Sequence, residues 1–181
     1  MELKTLNEIE IISAPHSKIS EVDFENLTFG NVFTDHMLVC DYVDGAWQKP
    51  VIEPYAPFMI DPSAKVFHYG QAIFEGMKAY KDQQDDVWLF RPDENFHRFN
   101  KSATRMAMPE VPEDVFLGGL HRLLEIEKEW VKKGKGNTLY IRPFMIATGH
   151  GVIAAPSQDY RFMIILSPAR AYYSGEVKVL I

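Results

Sequence analysis

The chain has 181 residues, a formal net charge of −6 at pH 7, and is 46% hydrophobic and 13% aromatic. That is material for one packed domain with extensions. Its acidity, with no basic stripe along the whole chain, excludes a nucleic-acid partner. Cys40 is the single cysteine, so no internal disulfide forms, which suits a reducing cytosol. The opening MELKTLNEIEII is studded with acids and has no apolar signal-peptide core. The longest apolar run, FMIIL, has the length of a strand and not of a membrane span. The expectation is a cytoplasmic protein with no membrane contact.

In chain order, residues 1 to about 30 are polar and weakly periodic and read as an arm or lid; residues 1–25 are set apart from a domain over 26–181. HMLVCDYV, Asp44-Gly45 and AWQKPVIEPY predict a hairpin, because Asp-Gly suits a type I′ turn. Pro50 and Pro54 push its second strand to an edge or end it early. Tyr55 to Ser63 is proline-spaced loop. Then comes the stretch from Val66 to Pro109, around which the rest is organised. It reads as a turn and short helical piece near Tyr69-Gly70, then strand-like MKAY and VWLF joined by the polar KDQQDD as a hairpin. A helix over NFHRFNKSATRM follows, with Pro92 and Asp93 as its start signal. Gly70 and Gly76 are places where backbone can come close to a ligand.

That helix is two-faced. Phe96, Phe99, Ala103 and Met106 share one side, a core face. Arg98, Lys101 and Arg105 form a separate stripe well over 90° away, at roughly 100° per residue. Two readings of the stripe stay open on physics alone. Cations near a helix C-terminus are commonly a solvated face favoured by the dipole, and a guanidinium can also grip a phosphate through paired charged hydrogen bonds.

Pro109 and Pro112 bracket a turn. From Glu113 to Lys133 the pattern predicts a long amphipathic helix with Phe116, Leu117, Leu120, Leu123, Leu124, Trp130 and Val131 on its apolar face and Gly118 and Gly119 off it. KKGKGN ends it. TLYIRPFMIATG is a strand with Leu139 and Ile141 on one face and Tyr140, Arg142 and Phe144 on the other. An arginine between two aromatics lies over rings at a sheet surface, pairs with a carboxylate, or meets a ligand. Pro143 predicts an edge strand or a bulge. YRFMIILSPA is a central strand and EVKVLI a third. Few helices among hairpin-joined strands give α+β, a largely antiparallel sheet with packed helices.

Other chemistries find little support. The six histidines and Cys40 show no metal-ligand spacing, so no metal is expected. No nucleophile elbow, P-loop or dinucleotide fingerprint occurs. ATGHGVIAA reads as a loop between strands, and Asp82, Asp85 and Asp86 as a solvated hairpin tip.

The words themselves carry more. IFEGMKAY at 73–80 and LFRPDENFHRFNKSATR at 89–105, with LTFGNVFTDHML upstream and LYIRPF and PARAYYSG downstream, stand in the order found in the branched-chain aminotransferases, pyridoxal-phosphate enzymes of fold type IV. The chain resembles that family over nearly everything after Glu25. The resemblance implies the family's N-terminal domain, transamination of Leu, Ile and Val with 2-oxoglutarate, pyridoxal phosphate as cofactor, and a homodimer. It makes Arg98 the grip on the cofactor phosphate, with Lys101 and Arg105 in support. Tyr69, Phe74 and Tyr140 match pocket residues around the substrate side chain and carboxylate. Phe29 and Tyr172 match residues that close the pocket, one of them from the partner subunit, and Arg142 matches an arginine near it.

None of the lysines from Lys4 to Lys178 stands in the family's Schiff-base motif, so the resemblance puts that lysine beyond Ile181, in a further domain. The chain alone is then expected to be inactive and to hold the cofactor no better than at roughly millimolar affinity. A D-amino-acid aminotransferase or an aminodeoxychorismate lyase of the same class is the alternative, as is a non-catalytic module for dimerisation or anion binding.

Overall fold

The computed structural model describes residues 9–170 and 178–179. The chain begins with a two-residue strand, β1 (Glu10–Ile11), and a 3-10 turn at Ile19–Glu21. The expected hairpin follows as β2 (His36–Val43), β3 (Ala46–Trp47) and β4 (Val51–Pro54). Asp44 and Gly45 both take positive φ, 53° and 78°, as a type I′ turn requires. Pro50 falls in the gap that splits its second arm in two, and Pro54 is the last residue of β4, which is not an edge because β1 pairs with its other side. The Val66–Pro109 stretch supplies α1 (Lys65–Tyr69), β5 (Ala72–Phe74), β6 (Met77–Lys81), β7 (Val87–Leu89) and α2 (Pro92–Arg105). After α3 (Gly119–Ile126) come the two long strands, β8 (Thr138–Ala147) and β9 (Tyr160–Ala169).

Among the described residues these strands make one nine-stranded sheet, ordered β1-β4-β2-β9-β8-β6-β7, with β3 beside β2 and β5 beside β8. Only β1 and β4 run parallel; every other pairing is antiparallel. The α+β expectation holds, and β9 is central as its apolar run predicts. EVKVLI lies largely outside the described residues. No described helix is long and apolar enough to cross a membrane.

Alternation decides which side chains form the core. Leu139 and Ile141 of β8 and Phe162, Ile164 and Leu166 of β9 are fully buried on one face, where Phe96, Phe99 and Ala103 of α2 pack onto them. Phe116 is the hub, with ring centroids 5.5, 5.4 and 5.5 Å from Phe96, Phe99 and Phe162. Each fully buried ring contributes about 1.5–3 kcal/mol by removal from water. The other face carries a smaller cluster of Met37, Val39 and Met163 with Tyr55, Phe144 and Ile165 against it.

Several expectations need correction. Met106 lies past the end of α2 and is half-exposed; the helix stops one residue short of completing its apolar face. Arg91, not Asp93, is the residue before the helix, at φ 49°, and Pro92 is the first helical position, where its missing N–H costs nothing. The predicted helix over 113–133 is broken. A π-helical turn at Asp114–Gly118 leads into α3, and a 3-10 turn at Lys128–Trp130 ends the segment. Its named apolar residues are nonetheless all buried. Gly119 faces the sheet: a Cβ there would stand 2.6 Å from Leu38 Cδ2, so the glycine lets helix and strand approach.

Pro143 sits in mid-sheet and not at an edge, paired with Ile164 of β9. Its carbonyl accepts the Glu75 N–H at 2.8 Å, so its missing donor faces the same neighbour. That neighbour is the break between β5 and β6, where no ladder partner is lost.

Residues 9–24 lie along the sheet, with Ile9, Ile19, Val22 and Phe24 packed against the core. A buried polar network ties them down. His36 Nε2 accepts the Ala14 N–H at 2.9 Å, and Nδ1 lies 2.5 Å from Glu127 Oε1. Since Nε2 accepts, the proton sits on Nδ1 and is donated to Glu127. Asp35 accepts from Ser17 Oγ (2.5 Å), Lys18 N (2.9 Å) and Trp130 Nε1 (3.1 Å). Burial works against the Asp35 carboxylate, but these donors outweigh it and hold its pKa below the ordinary value. Burial wins at Glu127, whose pKa is raised although His36 and the Asp35 N–H oppose the shift. Burial, with the Asp41 and Asp114 charges, pushes the Cys40 thiol up to about 12, so it packs as an inert thiol.

Candidate functional site

Of the residues singled out from the sequence, Phe29, Phe74, Tyr140, Arg142 and Arg98 gather around the break between β5 and β6, on both faces of the sheet. Strand alternation sends Phe74 to the face away from the helices and Glu75 toward α2. At the outer face Phe74 stands opposite Phe144, and the Arg142 guanidinium lies 4.3 Å from the centroid of its ring. Arg142 Nε and Nη2 both donate to the Tyr140 hydroxyl, at 3.0 and 2.6 Å. Phe29 meets Tyr140 edge-on, centroids 5.0 Å apart. Phe29, Phe74, Tyr140 and Arg142 thus form one cluster, an arginine between rings as the strand pattern implied. Gly76 closes against it: a Cβ there would lie 2.6 Å from Tyr140 Oη. In this structure the close approach of Gly76 is to a side chain of the cluster.

On the helix face, Arg98 projects from α2 beside β5. Small-molecule sites are clefts of about 300–1,000 Å³; the groove here, approximately 820 Å³, is lined by Arg98, Lys101, Arg105, Ala72, Ile73 and Met106 among others. The basic stripe therefore faces a concavity and not open solvent alone. Arg98 is held from behind: its Nε donates to Glu75 Oε1 at 2.6 Å and its Nη2 to Glu75 Oε2 at 2.9 Å. Asn95 Nδ2 and the Gly76 N–H also donate to Glu75 Oε2, at 2.9 and 3.3 Å. Burial opposes the charge on Glu75, but these bonds, led by that from Arg98, prevail and hold its pKa below the ordinary value.

Tyr69 is placed differently from the ring cluster's hydroxyl. It ends α1, and its hydroxyl donates to the Val152 carbonyl in the loop between β8 and β9, the ATGHGVIAA glycine segment. Tyr172 lies outside the described residues. Sequence reasoning missed Glu75 as the partner of Arg98, and Asn95 as a further donor to Glu75. The local rule pairs charges four apart, which would give Glu94 to Arg98, whereas Glu94 takes Arg91 at 2.7 Å. The acid that does hold Arg98 comes from 23 residues earlier, inside the FEG word.

The fold is that of the N-terminal domain of the fold type IV aminotransferases. A crystal structure of a branched-chain aminotransferase from the archaeon Thermoproteus uzoniensis, with norvaline, superposes at a TM-score of 0.53, 19% identical, covering 74% of this chain and 41% of that one. Another branched-chain aminotransferase structure, solved with pyridoxamine 5'-phosphate, superposes at 0.50 and is 22% identical over 75% of this chain and 41% of its own. Sequence narrows the class. The branched-chain-amino-acid transaminase 1 of Bacillus subtilis is 52% identical over 155 residues, 85% of this chain and 44% of that protein. No family model matches. The aligned segment belongs to the branched-chain aminotransferase family, and the chain spans less than half the length of the curated relatives it matches.

Proposed function

We propose that the whole protein moves an amino group between Leu, Ile or Val and 2-oxoglutarate, with pyridoxal phosphate as cofactor. The observation that carries this is the cationic groove along α2, in a chain 52% identical to a branched-chain transaminase. Its donor set fits a phosphate monoester. Arg98 offers an outward edge, Lys101 and Arg105 add charge in the same groove, and Ala72, Ile73 and Met106 give apolar surface for a ring. When bound, pyridoxal phosphate supplies the electron sink that transamination needs.

This chain's own residues bind and orient. Arg98 holds the phosphate end, Lys101 and Arg105 reinforce the field around it, and Phe29, Phe74 and Tyr69 bound the space for a branched side chain. Tyr140, held by Arg142, presents a hydroxyl to a carboxylate; Tyr172 completes the closure. Residues 1–25 serve as an arm on a domain spanning 26–181, the Schiff-base lysine belongs to a further domain, and the working form is a cytoplasmic homodimer in which the pocket is closed across subunits. The 181-residue chain by itself is inactive.

The test is a comparison of rates on L-Leu, D-Ala and aminodeoxychorismate with the protein made from the whole reading frame. Fast turnover of L-Leu supports the reading. Fast turnover of D-Ala with none of L-Leu overturns it.

A further inference from the structure

Glu75 is a buried acid whose principal partner is exposed. Its side chain is 7% accessible, while that of Arg98 is 64% accessible. Such a pair is a poor stability device at the arginine end, because solvent screens it. The acid is nevertheless fixed from every side. Its carboxylate takes Asn95 and the Gly76 N–H as well as Arg98, and its backbone N–H is bound to Pro143. That last contact ties it to β8 at the strand break that accommodates Pro143. Glu75 is therefore the rigid member, and Arg98 the one being held.

The way it is held matters. A guanidinium has a side edge, formed by Nε–H and one Nη–H, and an end edge formed by the two terminal nitrogens, and either can chelate an oxyanion. Glu75 occupies the side edge through Nε and Nη2. Nη1 has no hydrogen-bond partner among the described residues, and the side chain borders the groove that also holds Lys101 and Arg105. We infer that Glu75 is a positioning residue for anion capture: it fixes one edge of Arg98 so that the other faces the groove, ready for a phosphate.

The inference rests on the phosphate reading of Arg98 given above. It has a definite sign. A carboxylate near a bound phosphate repels it, so a Glu75 that merely competed for Arg98 would weaken binding, and its neutralisation would tighten it. A Glu75 that positions has the opposite effect. It removes the freedom of a long side chain before the ligand arrives, and neutralising it loosens the grip.

The experiment uses the full 181-residue chain and inorganic phosphate at constant ionic strength. The phosphorus NMR signal of the titrated phosphate is the readout for every variant, with the Arg98 Nε–H resonance as a second signal where Arg98 is kept. Glu75→Gln and Arg98→Lys should each weaken phosphate binding, by about tenfold. The double variant should bind no more weakly than Arg98→Lys, since a lysine has no second edge for Glu75 to hold. Equal or tighter binding by Glu75→Gln, or losses that simply add, overturns the positioning role while leaving Arg98 as the phosphate ligand. If wild type and Arg98→Lys bind phosphate equally, the phosphate reading itself fails and takes the inference with it. Should Glu75→Gln not fold, Asn95→Ala removes only the brace on Glu75 and should cost roughly threefold in affinity; no loss there overturns the role.

Discussion

Two buried carboxylates in this molecule have opposite surroundings. Glu127 sits with His36 and the Asp35 N–H, and every one of those partners is also buried. Glu75 is buried to a similar degree, but it directs its strongest bonds to an arginine that opens onto a groove. The first network seals residues 14–18 to the sheet and to the end of α3. The second leaves Nη1 of its cation without a hydrogen-bond partner among the described residues. Burial of an acid thus says little about function until the exposure of its partner is known.

The sharpest way to break this contrast is at the sealed network. Glu127→Ala leaves the His36 and Asp35 donors buried without an acceptor, and should cost about 3 kcal/mol. The denaturant midpoint should fall at constant m, and the Ala14 and Lys18 amides should exchange faster. A loss under about 1 kcal/mol would show the network to be dispensable.

Packing on the same side of the molecule gives the next effect. Gly119→Ala forces a methyl against Leu38 and should cost about 1–3 kcal/mol. Combined with Leu38→Ala, the loss should be smaller than the sum of the single losses; strict addition would contradict direct contact.

Acid titration then separates the carboxylates. Glu75 and Asp35 have folded pKa values below their ordinary 4.5 and 3.8. Their contribution is complete above those values and is lost as pH falls through the lowered ones. Glu127 has the reverse sign: its pKa is raised, so its contribution is present below pH 4.5 and is lost as pH rises through the raised value. Glu75→Gln should therefore flatten the acid limb of the stability curve, and an unchanged limb would deny the lowered pKa.

The smallest effect belongs to the open face. Gly76→Ala crowds the Tyr140 hydroxyl and should displace it from Arg142, yet change stability by less than about 1 kcal/mol because the cluster is partly solvated. The Arg142 Nε–H signal should move while the melting temperature barely does. No movement would place the two side chains further apart than described.

Much of this was legible from local pattern. The Asp44-Gly45 turn, the MKAY and VWLF strands and the alternation of β8 followed from period and turn chemistry, because each is decided within a few residues. The Arg142 cluster was half legible, since one strand face holds Tyr140, Arg142 and Phe144, but Phe74 and Phe29 come from elsewhere in the chain. What failed was long-range. Pro143 looked like an edge signal because nothing local announces a break in the neighbouring strand. Gly119 looked like a weak helix position because its partner, Leu38, lies across the fold. Glu75 was invisible as the holder of Arg98 for the same reason.

Under the function proposed above, this chain would contribute the phosphate grip and pocket walls of a pyridoxal-phosphate aminotransferase whose covalent lysine would lie elsewhere in the protein. Reduction with borohydride after incubation with pyridoxal phosphate, on the protein made from the whole reading frame, tests it most directly. A single pyridoxyl-lysine, mapped by mass spectrometry to a position outside residues 1–181 and lost in Arg98→Ala at limiting cofactor, is the predicted result. Specific labelling of a lysine between Lys4 and Lys178, or no specific labelling at all, would contradict it.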